Sequence, residues 1–166
     1  MSPCDRHVWL AMPAERAPEF DHLAFGVDLD EPWLADVGFG QSILEPLRMQ
    51  VGVEHTDPVG TFRLVKLEDR FQLEKREADG TGKRQYSFSL QPRQLEQFAG
   101  MCHYHQTSPE SSFTQKRICT RATLEGRITV ANLNLILTRN GRREEGMLAS
   151  EQEKKNILRD QFGVVL

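Results

Sequence analysis

The sequence predicts an α+β protein: a small antiparallel barrel or sandwich, a connecting helix, then a small antiparallel sheet with a C-terminal helix. Three observations predict it. Short apolar runs separated by turn-forming clusters recur through the first half of the chain. One apolar stripe of helical spacing follows Pro92. The chain then returns to short strands and ends in a segment with start and stop signals for a helix. At 166 residues the chain is long enough to build a real core, burying roughly 70% of the surface it exposes when unfolded.

Taken in order, residues 7–12 and 22–28 are short apolar runs. The turn-prone Asp28-Leu29-Asp30-Glu31-Pro32 precedes a return over 33–39, which reads as a hairpin with a longer loop. Strand-like stretches follow at about 47–54 and 61–68. Residues 71–77 and 84–90 flank Asp79-Gly80-Thr81-Gly82, a strong turn signal. Phe71 and Leu73, then Tyr86, Phe88 and Leu90, alternate with polar residues, the period of half-buried strands. Pro92 suits the first turn of a helix, and Leu95, Phe98, Ala99 and Cys102 fall on one of its faces. Residues 106–112 read as a loop between two units. Three strands are expected near 116–124, 127–132 and 133–139, and the Asn140-Gly141 turn leads into 142–148. In the last helix Ser150 is an N-cap, Glu153 completes a capping box, Ile157, Leu158 and Phe162 form the apolar side, and Gly163 ends it.

Composition narrows the function classes. The net charge of −3, from 21 basic and 24 acidic residues, carries no generic nucleic-acid footprint. No apolar run approaches the ~18 residues that cross a bilayer. The start, Met1 to Arg6, lacks the apolar centre of a signal peptide. Cys4, Cys102 and Cys119 are too widely spaced for a disulfide framework and suit a reducing compartment. A cytoplasmic chain is expected, with neither nucleic acid nor membrane as partner.

Three places carry chemistry beyond packing. His22 opens one strand and Asp36 lies near the end of the next. Paired as a hairpin, these ends lie side by side, and a carboxylate orients an imidazole as a general base; an ordinary structural role fits the same spacing. Asp36-Val37-Gly38-Phe39-Gly40 sets two glycines around an aromatic, which lets backbone approach a ligand or a neighbouring strand. Cys102-His103-Tyr104-His105 joins thiol and imidazole, but adjacent helical residues point in different directions. No metal site is expected there, and Cys102 reads as core with surface histidines.

Together these pieces are far more specific. Asp21-His22-Leu23-Ala24-Phe25-Gly26-Val27, then Pro32-Trp33-Leu34-Ala35-Asp36-Val37-Gly38-Phe39-Gly40 and Pro46-Leu47, resemble the arylamine N-acetyltransferases, also known as N-hydroxyarylamine O-acetyltransferases. The resemblance continues in Gly60-Thr61-Phe62-Arg63-Leu64, Tyr86-Ser87-Phe88 and Thr107-Ser108-Pro109-Glu110-Ser111-Ser112-Phe113. It ends in Ser150-Glu151-Gln152-Glu153 and Leu158-Arg159-Asp160-Gln161-Phe162-Gly163, so it covers nearly the whole chain.

The resemblance implies a cysteine-proteinase-like architecture. An antiparallel β-barrel over 1–90 carries His and Asp, an interdomain helix spans 91–107, and an α/β lid spans 108–166. It also implies a Cys-His-Asp triad in which a thiolate takes an acetyl group from acetyl-CoA and passes it to an arylamine, hydrazine or arylhydroxylamine, a ping-pong reaction of xenobiotic metabolism. His22 would be the base and Asp36 would fix its tautomer. Phe39 and Phe113 would line the acceptor pocket; Gly38, Gly40, Ser111 and Ser112 would meet the CoA cosubstrate; no metal is implied.

The family's Arg-Gly-Gly-x-Cys motif is missing. Only 21 residues precede His22, and Cys4 lacks the matching neighbours. Segment 6–12 resembles the strand that joins the family's first domain to its barrel, and Cys102 and Cys119 lie in the wrong parts of the pattern. The expectation is a truncated form holding the second and third domains, inactive alone, with a missing N-terminal domain or self-association covering the bare face. The alternative is a non-catalytic remnant that binds CoA, a ligand or a partner protein. A thiol hydrolase of the transglutaminase-like kind shares the Cys-His-Asp order, but the C-terminal motifs weigh against it.

Overall fold

Strand alternation is clearest where the core is densest. Phe62 and Leu64, Phe71 and Leu73, and Tyr86 and Phe88 are all buried, with exposed or half-buried residues between most of them. In the computed structural model, which describes residues 5–12, 18–40, 42–139 and 142–166, these side chains belong to one eight-stranded antiparallel sheet. Its strands are β1 (Asp5–Met12), β2 (His22–Asp28), β3 (Pro32–Ala35), β4 (Leu47–Arg48), β5 (Glu54–Asp57), β6 (Gly60–Lys66), β7 (Phe71–Arg76) and β8 (Gly82–Pro92). Their order is β4-β3-β2-β1-β8-β7-β6-β5. Ala24, Leu34, Ile43 and Leu47 complete the core, with Phe39, Met49 and Val59 packed against it.

This sheet must curl. Eight flat strands at about 4.8 Å spacing would hold β4 and β5 about 34 Å apart. The segment 49–53 joins them, and six chain steps reach at most about 21 Å. The curling stops short of the expected barrel, because no ladder joins β4 to β5 among the described residues. The run expected as one strand over 47–54 is instead divided. Gly52 sits at φ +77°, a turn that carries the chain out of strand geometry. Only the isolated Val51–Leu64 bridge forms there, with the Gly52 N–H donating to the Leu64 carbonyl at 2.8 Å.

Two other expectations shift for local reasons. The strand expected over 33–39 ends at Ala35 because the Asp36 carboxylate captures backbone N–H groups that would otherwise continue a ladder. Pro92 closes β8 opposite Trp9 instead of opening a helix. A 3-10 turn, Leu95–Phe98, precedes α1 (Ala99–Thr107), and the Gln97 side chain accepts from the Gln94 N–H at 2.9 Å. Of the expected stripe Phe98 is buried, whereas Leu95 and Cys102 are exposed. The core placement of Cys102 is therefore corrected. Phe20 adopts φ 65°, a conformation that costs a non-glycine residue about 1–3 kcal/mol.

The chain divides into two compact units, the first up to His103 and the second from Tyr104 to Leu166. The second begins with the end of α1 and a short helix, α2 (Ser112–Gln115). A four-stranded meander follows: β9 (Ile118–Thr123), β10 (Gly126–Ala131), β11 (Asn134–Arg139) and β12 (Arg142–Met147). The Asn140-Gly141 turn lies outside the described residues. The final helix, α3 (Glu151–Phe162), carries the expected N-cap, the Glu153 N–H donating to Ser150 Oγ at 3.1 Å, but the expected capping box shifts by one residue: the Glu153 carboxylate accepts from the Ala149 N–H. Leu158 is buried with Val130 and Leu148, and Ile157 and Phe162 pack on this cluster.

Candidate functional site

A hairpin brings two distant residues together. β2 and β3 pair from Asp28–Pro32 to Phe25–Ala35, so Asp36, one residue past the ladder, lies near His22 at the start of β2. His22 Nε2 is 3.0 Å from Asp36 Oδ2. The Asp36 side chain is fully buried and that of His22 is 15% exposed. The other carboxylate oxygen, Oδ1, accepts from the Gly38 N–H at 3.0 Å and the Phe39 N–H at 3.2 Å. The side chain is thus fixed by the backbone of its own turn before it meets the imidazole.

Close approach explains Gly38. A Cβ there would lie 3.3 Å from His22 Cε1, tighter than ordinary contact. Phe39 turns inward and meets the His22 ring edge-on at 5.2 Å. Gly40 is exposed at φ +44°, and Val37 is 92% exposed beside the pair.

Burial acts against the Asp36 charge, but the His22 hydrogen bond and charge, with the Gly38 N–H and Tyr86, outweigh it and hold the carboxyl below its usual range. An aspartate ionised in this way keeps Nε2 as the protonated nitrogen of a neutral His22 and leaves Nδ1 to accept a proton. It would also stabilise the imidazolium formed afterwards.

Tyr86 was not singled out as a site residue by its sequence. It is fully buried, with its ring 5.7 Å from His22 and 5.0 Å from Phe39. Burial first, and then the Asp36 charge, push its phenol well above the ordinary value, so it stays protonated. Its hydroxyl lies close enough to Asp36 and Ser42 to feel both, yet completes a well-aligned hydrogen bond with neither; the buried Ser42 Oγ is likewise unpaired. The available signal was the inward alternation of β8, since a buried tyrosine hydroxyl needs a polar neighbour.

The other candidate residues lie in the second unit. Ser111 is 2% exposed, and its hydroxyl is 3.0 Å from His105 Nδ1 while accepting from the Phe113 N–H. Ser112 is exposed. Phe113 is 71% exposed, with its ring 4.7 Å from that of His105. The loop over 106–112 is shorter than expected, since α1 runs to Thr107 and α2 starts at Ser112; across it Thr114 Oγ1 donates to the Ser108 carbonyl, and Gln115 Nε2 to that of Pro109. Cys4 lies outside the described residues. Among the described residues no group of three or more His, Cys, Asp or Glu gathers in metal-binding geometry, and no helix is long and apolar enough to cross a membrane.

The order of elements, a curled antiparallel sheet followed by a meander and a capped helix, is shared with known proteins. A family profile described as N-acetyltransferase matches residues 6–166. The chain belongs to this family. Arylamine N-acetyltransferase 2 of Mesocricetus auratus is 31% identical over 169 residues, covering 87% of this chain; the chain spans 58% of that enzyme's length. The solved arylamine N-acetyltransferase of Salmonella typhimurium superposes with a TM-score of 0.88 at 25% identity, over 97% of this chain and 61% of its own. The Mycobacterium marinum enzyme in complex with CoA shares the fold, with a TM-score of 0.87 at 22% identity, over 97% and 63% of the two chains.

Proposed function

We propose that this chain supplies the histidine and aspartate of a ping-pong acetyl-transfer site that moves acetyl from acetyl-CoA to the nitrogen or oxygen of arylamines, hydrazines and arylhydroxylamines. The observation that carries the reading is the 3.0 Å His22–Asp36 pair on a carboxylate held by its own turn. His22 Nδ1 takes the proton of a cysteine thiol, and the thiolate attacks the thioester carbonyl of acetyl-CoA. The carbon–sulfur bond to CoA breaks, and the CoA sulfur leaves with the proton returned by His22. The acceptor amine then attacks the acetyl carbonyl, the carbon–sulfur bond to the cysteine breaks, and the proton lost by the amine passes through His22 to the departing thiolate. The thiol comes from a cysteine outside the Cys102 and Cys119 contexts, contributed by a segment equivalent to the part of the relatives that this chain does not span. Phe39 in the first unit and Phe113 in the second are proposed as acceptor-binding residues, and Gly38 and Gly40, with Ser111 and Ser112, as the residues of each unit that meet CoA.

The test is intact-mass analysis. The chain is mixed with the part of the Mesocricetus auratus relative that it does not span and exposed to acetyl-CoA. The expected result is one acetyl group gained on the added part, dependent on His22 and absent with His22→Gln. Equal acetylation with His22→Gln would overturn the reading. So would a purified chain that acetylates an arylamine alone, at a rate abolished by Cys4→Ala.

A further inference from the structure

The segment entering β2 contains a feature that the acetyl-transfer chemistry does not use. Phe20, two residues before His22, has φ 65°. A bulky aromatic is a genuine outlier in this region, where glycine and asparagine are usual. Such a conformation persists only where its surroundings enforce it, and strained residues gather at functional sites. Here the enforcement is visible. The Phe20 ring packs edge-on against buried Phe98, centroids 5.2 Å apart at an interplanar angle of 85°. The Arg93 guanidinium lies over the same ring, 5.8 Å from its centroid. Arg93 and Phe98 follow β8, so this cluster ties the entry of β2 to the exit of β8, the two strands that flank β1. β2 itself begins at His22, paired with Ala11 of β1.

We propose that Phe20 is a positioning residue for His22: its ring, held by Phe98 and Arg93, fixes the left-handed bend that aims the start of β2 and thereby seats the imidazole against Asp36. Tyr86 and Phe39 pack against the ring of His22, and Gly38 leaves the space beside it that a Cβ would crowd. None of these side-chain contacts sets where the His22 backbone enters; the pairing with Ala11 holds it on one side, and the bend at Phe20 sets its approach from the other. The catalytic consequence rests on the acetyl-transfer reading; the geometric claim does not.

The experiment follows the His22 Nε2–H proton by NMR in the full chain, where hydrogen bonding to a carboxylate moves it downfield and slows its exchange with water. The variants are Phe20→Gly, which accepts φ 65° but removes the ring, Phe98→Ala, which removes the ring's partner, and Phe20→Tyr, which keeps both. Wild type and Phe20→Tyr are expected to show the resonance, and Phe20→Gly and Phe98→Ala to lose it while keeping the β8 amide pattern. Leu158→Ala, which weakens the second unit, is expected to leave the resonance in place, separating positioning from general destabilisation. A folded Phe20→Gly or Phe98→Ala that retains the protected resonance overturns the proposal. Should Phe98→Ala fail to fold, Phe20→Gly and Phe20→Leu decide it by the same criterion. Failure of acetyl transfer would leave this resonance untouched, so the two readings fail separately.

Discussion

Two histidines in this molecule each hold an oxygen that caps a turn, one oxygen a carboxylate's and the other a neutral hydroxyl's. In the first unit His22 Nε2 meets the Asp36 carboxylate, which accepts the backbone N–H two residues on, at Gly38. In the second, His105 Nδ1 meets the Ser111 hydroxyl, which accepts the backbone N–H two residues on, at Phe113. The local geometry is nearly the same. A carboxylate stabilises an imidazolium more strongly than a neutral hydroxyl does, so the first pair is the better suited to moving protons. The second builds a scaffold. A His–oxygen contact in a turn therefore identifies a candidate site only together with the charge of the oxygen.

The sharpest way to break the comparison is to delete both oxygens. Asp36→Ala leaves an imidazole and two backbone N–H groups without their acceptor and is expected to cost about 3 kcal/mol, the lower end for breaking a buried pair. Ser111→Ala removes a neutral cap and should cost about 1–2 kcal/mol. Urea melts of the two variants check the ranking, and equal losses would erase the distinction.

Acid sharpens it further. Because the folded-state pKa of Asp36 lies below the unfolded value of 3.8, its contribution is full above that value and is lost as pH falls through the folded-state value. Denaturant melts between neutral pH and pH 3 should therefore show a shallower acid limb for Asp36→Asn than for the parent. Ser111→Ala should keep the parental slope, since a hydroxyl does not titrate there. Smallest is Ser150→Ala, expected to cost about 1 kcal/mol by uncapping α3, read as a shift in melting midpoint with the His22 resonance unchanged.

What was legible in the sequence was what chemistry writes locally. The cap at Ser150, the turn at Asp79-Gly80, the meander of the second unit and the hairpin bringing His22 to Asp36 depend on neighbours within a few residues or on one period of alternation. What was missed depends on partners far along the chain. Residues 33–39 alternate like a strand, but the Asp36 side chain takes the backbone first. Residues 47–54 look continuous, but there the chain passes from one edge strand of the curled sheet to the other and turns at Gly52. Cys102 falls on a helical stripe, yet α1 buries none of its residues. Tyr86 alternates like its neighbours in β8, and alternation reports which side chains point inward, not which polar group they meet.

The strand order has a consequence for synthesis. β1 lies between β2 and β8, with Met12 opposite Ser87 and Ala11 opposite Phe88. On the ribosome β1 can zip to β2 almost at once, but its other edge stays open until β8 emerges, several seconds later at about 5–20 residues per second. During that interval the nascent chain carries an unpaired strand edge able to pair with any other strand, including the same edge on a neighbouring nascent chain. Slowing translation after β2 would lengthen this window without changing one contact of the finished fold.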